Sequence, residues 1–225
     1  MKTQSLFLSA LLVLVLFGAT NLAAASDAKW IIRGNYVVTW PDADSYDTSL
    51  PPNAPEVLSS RINIDSGQGF GLDVGYKLNP KMEVFVMAIF TDMEGNLKYG
   101  YQIGESSAIA DDPNTVDFYT IDGGFNYHFT PESRVDFFLG AFAGVFSYDS
   151  VTYTLPEIGK EFKVNFDDTF AWGLNAGIDV PFTADGPLFF TATVKYMLTD
   201  LKQDGGPNKI GLDPIIGAAG IGFRF

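Results

Sequence analysis

From Trp30 to Trp40 the chain alternates. Trp30, Ile32, Gly34, Tyr36, Val38 and Trp40 form one set; Ile31, Arg33, Asn35, Val37 and Thr39 form the other. The first set is mostly apolar and aromatic at both ends, and the charge sits in the second. Alternation with period two places the two sets on opposite faces of a β-strand. The pattern returns in 67–78, where Phe70, Leu72, Val74 and Tyr76 oppose Gly71, Asp73, Gly75 and Lys77. It returns again in 115–129, 169–182, 188–201 and 213–225. Two further segments, 82–93 and 135–148, are apolar on both faces, and Glu83 and Asp136 assign the inward parity there. With 29–40 this predicts eight strands.

The connections carry a second pattern. Asn79–Lys81, Thr130–Arg134 and Thr183–Pro187 are short, whereas Pro41–Ser66, Glu94–Asn114, Asp149–Asp168 and Lys202–Leu212 are long. Short and long alternate without exception, as they do in bacterial barrels with short periplasmic turns and long external loops. The predicted fold is all-β: an eight-stranded antiparallel up-and-down transmembrane β-barrel, with both chain ends on the periplasmic side. A soluble barrel would turn its apolar face inward. Here the apolar face excludes Arg33, Asp73, Lys77, Asp122, Asp179, Lys195 and Arg224, which would be costly to leave unpaired in a dry core. Aromatic residues at the strand ends, among them Trp30, Trp40, Tyr127, Phe129 and Phe182, read as girdles at the two membrane interfaces.

The first residues have a different character. Lys2 is followed by the uncharged apolar run Leu6–Ala19 and the small residues Ala23-Ala24-Ala25. This is the layout of an export signal, too short for a spanning helix. Cleavage is expected after Ala25, giving a signal peptide of residues 1–25 and a barrel of residues 26–225. The composition of the whole chain, with 15% aromatics and 23 glycines, suits strands. Cysteine is absent, which removes disulfides and thiolate metal sites. The net charge of −13 disfavours nucleic acid as a partner.

Several segments resemble the OmpW family of small outer-membrane proteins. Trp30-Ile31-Ile32-Arg33-Gly34, followed by Pro41, is similar to the family's opening strand. Trp172-Gly173-Leu174-Asn175-Ala176-Gly177-Ile178-Asp179 resembles its sixth strand and Val194-Lys195-Tyr196 its seventh. Asn126-Tyr127-His128-Phe129 is similar to the end of its fourth strand, and Asp213-Pro214 through Gly222-Phe223-Arg224-Phe225 to its closing strand. Val86–Phe90 lacks the proline usual in the family's third strand, so the chain resembles a divergent member. The resemblance implies a bacterial outer-membrane location and a narrow passive channel for small hydrophobic molecules.

Parity and strand direction sort the inward residues by depth. A charged network of Arg33, Asp73, Lys77, Glu83, Asp122, His128, Asp179, Lys195 and Arg224 is expected in the lumen, most of it toward the periplasm. Val37, Met87, Ile89, Phe118, Phe142, Phe146, Met197 and Ile216 are expected in the outer half. They read either as an apolar vestibule for a ligand or as a plug, since an eight-stranded barrel is just wide enough to be filled by its own side chains. The first reading makes the barrel a channel. The second makes it a closed structural or adhesion barrel whose acidic external loops contact partners or cations.

Those loops hold carboxylates of the kind hard cations favour, but no spacing matches an EF-hand, and no metal site or cofactor is assigned. The single histidine, His128, is placed at the periplasmic rim, away from the long loops, and no enzyme is expected. The terminal Phe225 resembles the signal read by the barrel-assembly machinery. That machinery, outer-membrane lipid with lipopolysaccharide, and small hydrophobic solutes are the expected partners.

Overall fold

Every alternating segment forms a strand, and each strand pairs with its sequence neighbours. The computed structural model describes residues 29–41, 46–47, 57–103, 106–155, 160–184, 186–203 and 209–225; the signal segment 1–25 lies outside them. The barrel strands are β1 (Trp30–Trp40), β2 (Val57–Asn79), β3 (Met82–Ile103), β4 (Ser106–His128), β5 (Asp136–Tyr148), β6 (Thr169–Pro181), β7 (Leu188–Leu198) and β8 (Ile215–Arg224). All neighbours are antiparallel. The ring closes because β1 pairs with β2 on one side (Val37 opposite Gly69) and with β8 on the other (Val37 opposite Ala218). The backbone of Phe225 exchanges two 2.9 Å hydrogen bonds with that of Trp30, so the last residue completes the seam. Closure leaves no unpaired edge within the hydrocarbon layer, which a spanning sheet requires.

The two faces separate cleanly by parity. Arg33, Glu83, Asp122, Asn175 and Lys195 point inward and are buried, whereas Phe70, Leu174, Val194 and Ile221 point outward and are exposed. Glu83 and Asp136 do face inward, and with them Met87, Phe142 and Phe146. On β3 and β4 the outward apolar run ends at Asp92 and Asp117, which are register partners. From Met82 to Asp92 the strand has about the length a tilted strand needs to cross. Trp30 packs edge-on against Tyr76 at 4.9 Å and Tyr127 against Phe129 at 5.1 Å, in the periplasmic girdle.

Three strands outrun the sequence reading. β2 begins at Val57 rather than 67, β3 continues to Ile103 rather than 93, and β4 starts at Ser106 rather than 115. The expected loop Glu94–Asn114 is therefore mostly a hairpin, with Lys98 opposite Asp111 and Ile103 opposite Ser106. The expected loop Pro41–Ser66 gives up its second part to β2. Beyond Asp92 the hydrophobic alternation of the sequence stops while the backbone ladder continues. The expected loop Asp149–Asp168 likewise contains a small hairpin, Val151–Leu155 with Lys160–Val164.

The lipid face is directly testable. Leu174 is exposed on the outer face of β6. Leu174→Arg should destabilise the barrel by about 2–4 kcal/mol, read by denaturant unfolding in lipid vesicles, whereas Leu174→Phe should change little.

Candidate functional site

The candidate site is the lumen. Its periplasmic half is built around Arg33, a side chain only 3% exposed. Arg33 Nη1 donates to Asp73 Oδ1 at 2.7 Å and to Glu83 Oε1 at 2.7 Å. Nη2 donates to Glu83 Oε2 at 2.9 Å and to Asp179 Oδ2 at 3.2 Å. One guanidinium thus ties β1 to β2, β3 and β6. Its planar fork matches the Glu83 carboxylate bidentately, which an ammonium could not do. Arg224 of β8 shares Asp179 at 3.3 Å. His128 lies between Asp136 at 2.8 Å and Glu83 at 3.1 Å. Lys77 is half-buried at the periplasmic mouth.

Higher in the lumen a second pair stands apart from this cluster. Lys195 Nζ reaches both carboxylate oxygens of Asp122 at 2.8 Å and lies 4.0 Å from the centre of the Phe142 ring. An ammonium over a ring face gains electrostatic stabilisation there. Between the two clusters Asn175 donates to Asn126 Oδ1 at 2.7 Å.

Above Lys195 the lining becomes mainly apolar, with the buried Thr39, Thr91 and Thr120 among it. Val37, Met87, Ile89, Phe118, Phe142, Phe146, Met197 and Ile216 are all inward, and none is more than 5% exposed. Phe118 and Phe146 stack with centroids 4.6 Å apart, and Tyr148 continues the stack at 4.5 Å. Of the two readings, vestibule or plug, these contacts describe side chains packed against one another at rest. Most of them branch or carry rings, and the stacked rings stand on the neighbouring strands β4 and β5.

Large inward side chains lie across glycines on the next strand. A Cβ on Gly222 would meet the Phe189 ring at 2.1 Å, one on Gly177 the Phe138 ring at 2.4 Å, and one on Gly173 the tip of Phe142 at 2.9 Å. Without a side chain at these positions the rings can lie flat against the wall. The Phe189 ring in turn stacks on Arg224 at 4.4 Å and faces Arg33 at 5.6 Å. The space left among Arg33, Asn35, Asp73, Asn126, Asn175 and Lys195 is about 20 Å³, enough for one water molecule.

Reading single residues for chemistry missed Phe85, Phe138, Phe189 and Asn175 as parts of the lumen network. Each shares the parity of a residue already placed inward: Glu83 for Phe85, Asp136 for Phe138, Lys195 for Phe189, Asp179 for Asn175. Parity was the available signal, and charge alone had been followed.

A sequence model of the outer membrane protein beta-barrel domain matches residues 9–225. The chain belongs to this outer-membrane β-barrel family. No curated protein matches it by sequence. Among solved structures, this outer-membrane barrel is similar to OprG from Pseudomonas aeruginosa, with a TM-score of 0.62 at 14% identity over 88% of this chain and 96% of that one. It is similar to AlkL, solved in lipid bilayers, with a TM-score of 0.54 at 16% identity over 90% and 92%. Escherichia coli outer membrane protein W matches at 14% identity over 88% and 98%, with a TM-score of 0.45. At these identities the likeness is one of fold; membership of the outer-membrane family places the barrel in the bacterial outer membrane.

A concavity of about 560 Å³ lies outside the lumen of the outer-membrane barrel, floored by Ala176, Ala192, Gly217 and Ala219. It is a depression in the lipid-facing wall. Within the lumen, packing is tight enough that one methyl group matters. Gly222→Ala should force Phe189 off Arg224 and cost about 1–3 kcal/mol, seen as a lower unfolding midpoint.

Proposed function

We propose that this outer-membrane barrel takes small apolar solutes from the exterior into its outer half, through a path that is closed at rest by the Phe118–Phe146 stack. The supporting observation is the sorting of the lumen. Apolar side chains gather above Lys195 and the ion pairs gather below it. An apolar solute displaced into that half would exchange water for hydrocarbon contacts, worth about 25 cal/mol per Å² of buried apolar surface. The resemblance to the OmpW family implies the same class of cargo. The terminal Phe225, paired with Trp30 at the seam, is proposed as the signal for the barrel-assembly machinery. Lipopolysaccharide is the proposed lipid neighbour.

A second reading rests on an observation of its own. The Arg33 cluster, with Phe138 and Phe189 beside it, crosses the periplasmic half from several strands. A floor of that kind suits a closed structural barrel whose acidic external segments contact partners or cations.

One experiment separates them. Vesicles carrying the purified barrel should take up a small apolar fluorophore faster than empty vesicles. Met197→Asp should remove that advantage, because a carboxylate would sit among the apolar chains, while the barrel keeps its heat-modifiable electrophoretic mobility. Uptake by the wild-type barrel equal to that of empty vesicles would instead establish the closed reading.

A further inference from the structure

The Phe118–Phe146 stack is the inner end of a longer run of rings. Phe146 and Tyr148 share the inward face of β5, two residues apart, and both are buried. The Tyr148 ring lies 4.5 Å from that of Phe146 and 5.9 Å from that of Phe166. Phe166 stands on a two-residue external strand, Phe166–Asp167, that pairs with Asp200–Gln203. The 2.7 Å ion pair of Asp167 with Lys202 pins it there. Phe166 is half-buried, whereas Phe146 and Phe118 are closed off. Ring contacts therefore run without a break from the external side at Phe166 down to Phe118.

This run discriminates between apolar solutes by chemistry rather than by size. A solute that enters by parting Phe118 from Phe146 breaks their stacked contact. A flat aromatic solute restores it, because it offers its own π faces to the rings it separates. A saturated solute of the same size gains a similar burial of apolar surface but restores no ring contact. One stacked contact beyond burial corresponds to a preference of about two- to tenfold. Organic cations also use ring faces. Lys195 already supplies a cation at the foot of the outer half, with Nζ 4.0 Å from the centre of the Phe142 ring, which disfavours a second one.

We infer that the barrel selects flat, neutral aromatic solutes over saturated ones, with Phe118 and Phe146 as the discriminating pair and Phe166 as the first ring a solute meets. The inference rests on the transport reading and names the class of its cargo.

The test offers radiolabelled toluene and methylcyclohexane to vesicles carrying the whole mature barrel. The two share a carbon skeleton and differ in the ring. Each entry rate is divided by the rate into empty vesicles. The ratio for toluene should exceed that for methylcyclohexane by about two- to tenfold. Phe118→Leu and Phe146→Leu keep apolar bulk and remove a ring, so each should bring the two solutes to parity without slowing methylcyclohexane. Phe166→Leu, at the half-buried end, should slow toluene alone. Where a lumen variant fails to fold, ring-labelled phenylalanine in the wild-type barrel decides: toluene should give nuclear Overhauser contacts to the Phe118 and Phe146 rings, and their absence would overturn the inference. Equal acceleration of both solutes would also overturn it while leaving the transport reading in place. Acceleration of neither would overturn both.

Discussion

Arg33→Met should cost the barrel about 3–5 kcal/mol, the range for breaking a buried ion pair by removing one partner. The side chain is buried and holds Asp73, Glu83 and Asp179 together. Methionine fills much of the volume but satisfies none of these oxygens. Glu83 retains His128 and Asp179 retains Arg224, so Asp73 is left most exposed to the loss. Asp73→Asn in the Arg33→Met background should accordingly recover part of the stability, a coupling that a double-mutant cycle measures. Arg33→Lys should recover only part, because an ammonium cannot bond Glu83 bidentately and reach its neighbours at once. Urea unfolding of the refolded barrel, followed by tryptophan fluorescence, reads the wild type, Arg33→Met, Asp73→Asn, the double variant and Arg33→Lys. A loss below about 1 kcal/mol for Arg33→Met would mean that water already penetrates this half of the lumen, and the closed floor would have to be given up.

The same residue shows how far the sequence reaches. Arg33 sits in the inward set of a clean alternating strand, so its place in the lumen followed from parity. Its partners did not. Asp73, Glu83 and Asp179 lie 40, 50 and 146 residues away, and only the closure and shear of the barrel bring them to one point. Strand ends were legible where lipid imposes a hydrophobic face, as at Trp30–Trp40. They were not legible from Glu94 to Asn114, where backbone pairing continues without that demand. The outer half illustrates a different limit. Parity placed Phe118 and Phe146 inward, but whether inward rings leave a space or fill it depends on angles at which they meet. Here they stack nearly parallel, with 14° between planes.

Phe118→Ala should therefore have two consequences at once. Removing one ring of the stack leaves a cavity beside Phe146, and a Phe→Ala change in a packed interior costs about 3–5 kcal/mol. The same change removes a stacked aromatic contact worth about 0.5–1.5 kcal/mol beyond its area. If solutes enter by parting this stack, the barrier to entry falls by a similar amount. Uptake of a small apolar fluorophore should then rise by up to about tenfold, the factor that 1.4 kcal/mol supplies. Phe146→Ala should behave alike, since it removes the other half of the pair. Leu212, also buried but outside the stack, offers the control: Leu212→Ala should destabilise by about 2–5 kcal/mol without faster uptake. If both phenylalanine variants lose stability and uptake stays at the level of empty vesicles, the stack is structural fill, the path does not exist, and the barrel's function lies on its external face.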